Sequence, residues 1–160
     1  MSSSKSEDDV TRALATARRY VRASVRSRHE VTIYLHRRGV SPEIASRAVA
    51  MLGTQDVLND GVCARLWAEQ WARRGYASAA IRLKLAAKGL DEETITQTLT
   101  QRRISVDDAA RARALAARAT RAGAHHLERT RVARRLASRG FDPDLIEQIL
   151  NESFDPLVSS

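Results

Sequence analysis

Chemistry in this 160-residue chain would have to come from one cysteine, four histidines and 19 acidic residues, and their spacing assembles no reactive site. His29, His36, His125 and His126 lie in two separate stretches. No pair of them has the four-residue interval with an acidic neighbour that would bring two imidazoles to one metal on a helix face. Cys63 has no second thiol for a disulfide or a thiolate cluster, and it sits beside Ala64 in a helical pattern, as a packed thiol does. The glycines stand singly, so no loop is available to cradle a phosphate. Most acidic residues fall in the first turns of expected helices, where capping accounts for them. No catalytic residue, metal or cofactor is expected.

Basic residues are the remaining candidates. Lys and Arg number 27, giving a net charge of +8 and a pI near 10.7, a balance that attracts polyanions or an acidic protein face. Arg18, Arg19, Arg22, Arg26 and Arg28 crowd the first third; Arg73, Arg74, Arg82 and Lys84 follow in the second; Arg131, Arg134 and Arg135 fall in the last. These twelve are the expected partner- or DNA-binding residues, since repetition would align some of them into a stripe that follows an extended polyanion. Arg38, Lys88 and Arg139 are set apart, because each precedes a glycine where a cation complements a helix end. Trp67 and Trp71, one turn apart, offer either a stacking platform for bases or a packed pair. Ala64 and Ala68 on the same stripe favour packing.

The elements that position these residues repeat. Gly39, Gly89 and Gly140 are spaced by 50 and 51 residues, and each follows a helical pattern with a leucine four back and a cation one back. Each therefore ends the second helix of a module, in the left-handed position, and opens a third. Ser27 with Glu30 makes a capping box. Ser41, Asp91 and Asp142 cap the closing helices, with Pro42 and Pro143 in two of the first turns.

With 43% hydrophobic but only 4% aromatic residues, an all-α tandem array of three three-helix modules is expected, about nine helices in all, elongated and possibly curved. The divisions are a disordered Ser-rich acidic tail over 1–9, modules over 10–53, 54–102 and 103–152, and a frayed tail over 153–160, with fraying expected to begin at Asn151. Gly53 to Val57 and Arg102 to Ser105 are the expected hinges. No stretch is long and apolar enough to span a bilayer. The start lacks the apolar core of a secretory signal, so a cytoplasmic monomer without membrane contact is expected.

The stretch Val57-Leu58-Asn59-Asp60, the helix ending at Arg73-Arg74-Gly75, then Ile81, Leu85, Lys88-Gly89-Leu90-Asp91 and Ile95 together resemble the RecX family, regulators of the RecA recombinase. Ser27 with Glu30 and Arg38-Gly39-Val40 resemble its first module, and Arg134 to Phe141 with Ile146 its closing motif. The chain departs from the pattern at Gly61 and Cys63, where the family commonly has an acid and an aromatic. The resemblance implies a protein with no chemistry of its own that binds the RecA filament on single-stranded DNA. It further implies a role in DNA repair and recombination through inhibition of filament extension, ATP hydrolysis and strand exchange, with a damped SOS response. From the residues alone, a basic DNA-binding or architectural protein acting without RecA remains open beside it.

Overall fold

The computed structural model describes residues 2–102, 104, 107–120 and 125–154. Among them are nine helices and no strand: α1 (Ser2–Ala23), α2 (Arg28–Arg37), α3 (Pro42–Thr54), α4 (Asp60–Arg73), α5 (Ser78–Ala87), α6 (Glu92–Gln101), α7 (Asp108–Ala119), α8 (His125–Ser138) and α9 (Pro143–Phe154). The closest packing joins α1, α2 and α3, then α4, α5 and α6, then α7, α8 and α9. The fold is thus an all-α tandem array of three-helix modules, each with its own core.

Local sequence explains the helix boundaries. The Ser27 hydroxyl accepts the Glu30 amide while Glu30 reaches back to the Ser27 amide, completing the capping box of α2. Ser41, Asn59 and Asp91 accept the amides three residues on to start α3, α4 and α6. Gly39, Gly75, Gly89 and Gly140 all have φ between 77° and 82°, the left-handed conformation that ends a helix.

Each core is a small aliphatic cluster. Val10, Ala13, Ala17, Val31, Leu35, Ala48 and Leu52 bury the first module. Ala64, Trp67, Ile81, Leu85, Ile95 and Leu99 fill the second. Ala112, Leu115, Val132, Leu136, Ile149 and Leu150 fill the third. Burial runs past the sequence divisions. Leu58 belongs to the first core, Ile104 to the second and Ala77 to the third. The two segments expected as hinges therefore lead into buried anchors, because an aliphatic side chain at the end of a linker gains more from the nearer core than from water.

Two tails differ from expectation. Residues 2–9, read as a disordered tail, extend α1, and Arg47 donates to Ser6 Oγ at 3.2 Å. Residues 151–154, read as fraying, stay helical: Phe154 packs on the third core, and Arg113 pairs with Glu152 at 2.8 Å. Both segments are polar enough to read as solvated ends, and contacts made across the module hold them. Ser105, at the end of the second expected hinge, and the final residues 155–160 lie outside the described residues.

Modules are joined by a construction used twice. The amide of Arg28, first residue of α2, donates to Asp60 Oδ1 of α4 at 2.9 Å; the amide of Ser78, first residue of α5, donates to Asp108 Oδ1 of α7 at 2.9 Å. The carbonyl just before the cap accepts a side chain one turn along the next module's first helix. Cys63 reaches the Arg26 carbonyl at 3.2 Å, and Arg111 Nε reaches that of Tyr76 at 3.2 Å. Finally, the cap itself donates to the end of the next module's second helix. The Ser27 hydroxyl meets the Lys88 carbonyl at 2.6 Å, and the Ala77 amide meets the Arg139 carbonyl at 3.0 Å.

The left-handed glycines close this joint. A Cβ on Gly89 would overlap the His29 ring, and one on Gly140 would lie 2.7 Å from Ala80 Cβ, whereas one on Gly39 would meet nothing within 4 Å. Gly39→Ala should therefore cost only the left-handed penalty, about 1–2 kcal/mol. Gly89→Ala and Gly140→Ala should cost more, because the neighbouring module must also move. Thermal melting of the three variants checks the order.

Candidate functional site

The joint consumes part of the basic set. Arg26 lies over the Tyr20 ring at 4.4 Å and 4.0 Å from Glu30, and its carbonyl is held by Cys63. Arg28 packs its guanidinium against Gly53 while its amide is capped by Asp60. Arg82 pairs with Glu92 and lies 3.3 Å from Thr96 Oγ1. Lys84 sits over the rings of Tyr76 and Trp71 at 4.5 and 5.6 Å. Arg18 donates to Gln55 at 2.7 Å. These five are engaged within the fold.

The other seven stand clear. The side chains of Arg19, Arg22, Arg73, Arg74, Arg131, Arg134 and Arg135 are exposed and make no ion pair or side-chain hydrogen bond with the described residues. Arg131, Arg134 and Arg135 follow i, i+3, i+4 spacing on α8, away from buried Val132 and Leu136, so they share one solvent face. Arg19 and Arg22 do the same on α1, opposite Ala13 and Ala17. Arg73 and Arg74 close α4. An exposed guanidinium without an internal partner keeps all its donors for a carboxylate or a phosphate.

The cations set apart at helix ends turn out to be structural. Lys88 pairs with Glu30 across the first joint at 2.7 Å and stands 4.9 Å from the Trp67 ring. Arg139 lies over Tyr76 at 4.3 Å across the second, and Arg38 over Tyr34 at 4.9 Å within the first module. Trp67 is buried and Trp71 half-buried in the second core, their rings 6.4 Å apart, as the packed-pair reading requires.

The residues that sequence reading missed are those with dual duties. Asp60 and Asp108 read as first-turn acids of their own helices, but they cap the helix of the preceding module. Arg111 has a side chain only 13% exposed and joins Tyr76, Ile104 and Asp108. Its spacing from Asp108 matches that of Cys63 from Asp60, the one sequence signal that pointed to it.

Among the described residues no group of three His, Cys, Asp or Glu side chains could hold a metal, and no helix is long and apolar enough to cross a membrane. His29 packs by Gly89 and His36 is exposed. Burial, with Asp60 and Glu30 nearby, pushes the Cys63 thiol up to about 11, so at neutral pH it is a neutral donor to the Arg26 carbonyl. The native state thus holds this proton more tightly than the unfolded chain. The associated stability is complete below about pH 8.5, the unfolded thiol value, and is lost as pH rises toward 11.

Replacing Arg131, Arg134 and Arg135 together by alanine should leave stability within about 0.5 kcal/mol per site. Arg111→Ala should cost about 2–3 kcal/mol by orphaning the acceptors it serves. Denaturant titration distinguishes the two. Cys63→Ser should fold normally and flatten the alkaline loss of stability, measured as the wild-type-minus-variant difference between about pH 8 and about pH 10.5.

Comparison with known proteins gives this geometry a family. Residues 59–99, the second module from the cap of α4 to the core of α6, match the profile of the second three-helix domain of RecX. The chain is 28% identical over 153 residues to the regulatory protein RecX of Thermobifida fusca (strain YX), covering 93% of this chain and 82% of the relative. It is 31% identical over 133 residues to that of Pseudomonas fluorescens, covering 78% of this chain and 80% of the relative. Among solved structures, a regulatory protein RecX superimposes with TM-score 0.73 at 21% identity, over 91% of this chain and 73% of that one. RecX from Lactobacillus salivarius does so with TM-score 0.70 at 23% identity, over 91% and 97%. A likeness that spans all three modules, with a relative above 30% identity matched along most of its length, places this chain in the RecX family of regulatory proteins.

Proposed function

We propose that this protein regulates the RecA recombinase by binding the filament that RecA forms on single-stranded DNA, and that it lowers ATP hydrolysis, filament extension and strand exchange. The observation that carries the reading is its kinship, over 93% of its length, with a protein named regulatory protein RecX. The surface chemistry is compatible. An array of modules that presents unpaired arginines on its first, second and third units can touch phosphates and acidic protein groups at several points, and several weak contacts on one scaffold add into a strong one. The protein itself needs no reaction centre for this. It would act by occupying surface that the recombinase or its DNA uses.

The surplus charge of +8 favours one competing reading, a DNA-binding protein that acts without RecA. Addition of the protein to RecA on single-stranded DNA, with ATP hydrolysis as the readout, separates the two. A fall in hydrolysis at or below one protein per recombinase subunit is expected, and combined alanine substitution of Arg131, Arg134 and Arg135 should weaken it. Unchanged hydrolysis together with tight, steeply salt-dependent binding to naked DNA would overturn the reading in favour of the competitor.

A further inference from the structure

The donating half of the module joint occurs twice in this chain, but its receiving half is built three times. In the second and third modules the receiving half has four parts: a carboxylate on the first helix (Asp60, Asp108), a donor one turn further on (Cys63, Arg111), the carbonyl that ends the second helix (Lys88, Arg139) and the left-handed glycine after it (Gly89, Gly140). The first module has the same parts in the same places. Asp9 and Arg12 stand 4.0 Å apart at i,i+3 on α1, the spacing at which Asp108 and Arg111 form a closer pair on α7, and Arg38 and left-handed Gly39 end α2. Among the described residues nothing covers them: they line an open cleft of about 540 Å³ with Thr16 and Ser41, against recesses of only about 200 and 180 Å³ beside the two filled joints.

We infer that this face of the first module is a docking socket for a partner protein, and that the element it takes is the N-terminal end of an α-helix with a small or hydroxyl residue at its cap. The occupant's chemistry is read from the two copies already filled. In each, a helix start supplies its first amide to the carboxylate, the carbonyl before its cap to the donor, and a cap donor (the Ser27 hydroxyl or the Ala77 amide) to the helix-end carbonyl. The residue that meets the glycine lies at the second or third position of that helix, His29 in one case and Ala80 in the other. Asp9 suits such a guest electrostatically, because a helix start carries partial positive charge.

A second copy of this chain is a poor guest. The starts of α2 and α5 are already engaged. The interval of 51 residues from Gly89 to Gly140 carries the cap position Ala77 to Glu128, which lies inside α8 and not at a helix start. Among the described residues, then, the first module's socket is unfilled and no further helix start matches it.

The test uses the full-length protein and a labelled peptide of residues 24–38 from this chain, which carries the α2 start and its Ser27 cap. A side-chain crosslink between positions 33 and 37, both exposed in the native helix, holds it helical. Fluorescence anisotropy should show saturable binding. Asp9→Lys in the protein should weaken it at least about tenfold without shifting the melting temperature, since half-exposed Asp9 pairs, among the described residues, only with Arg12 at 4.0 Å. The peptide carrying Arg28→Pro should lose a similar factor, because proline suits the first helical position but has no amide to donate. Absence of saturation, or binding indifferent to both changes, would overturn the proposal. So would a concentration-dependent dimer that Asp9→Lys abolishes, since the guest would then be a second copy.

Discussion

A helix-start amide that its own module leaves unpaired and the next module accepts is the interaction on which the rest of this molecule depends. The first amides of an α-helix have no partner inside it, and an unsatisfied buried amide is costly. Here Asp60 and Asp108 supply that partner from the following module. The dependence is plainest at α5, whose cap residue Ala77 has no side-chain oxygen, so that Asp108 takes both the amide and the hydroxyl of Ser78, the latter at 2.5 Å. Module and neighbour thereby become one unit of secondary structure shared across a boundary.

This constraint sorts the basic residues by role. A cation that lies beside a joint is drawn into it, as Lys88 is by Glu30 and Arg111 by Asp108, because a half-buried charge must find a counter-charge or acceptors. A cation that projects from the outer face of α1 or α8 meets no such demand and stays available. The free arginines of α1 and α8 therefore owe their freedom to faces that point to solvent, away from the residues their helices bury. The same rule explains Cys63, which the joint buries and keeps protonated where a surface thiol would begin to ionise.

Much of the fold was legible because its signals are local. A left-handed glycine every fifty residues, a capping box at Ser27 and Glu30, and Pro42 after Ser41 depend on residues a few positions apart, and each stands where the spacing put it. The basic candidates were legible only in part: seven of the twelve arginines and lysines singled out by position are exposed and unpaired among the described residues, but Arg26, Arg28, Arg82 and Lys84 had partners supplied by other helices or by ring stacking that composition does not reveal. The helical course of residues 2–9 and 151–154 was missed for a related reason, since Arg47 and Arg113 hold those ends from 41 and 39 residues away.

By itself the chain's sequence determined where helices begin and end, how many modules repeat and which stripe of each helix is apolar, since capping, glycine conformation and periodicity act over one or two turns. Only the tertiary structure decided what each polar residue does. Ser27 could have been an ordinary cap, Asp60 an ordinary first-turn acid and Lys88 an ordinary helix-end cation. They became one joint because folding brought together groups 32 and 61 residues apart. The energy of a capped amide or a paired charge depends on distance in space, which spacing along the chain does not encode.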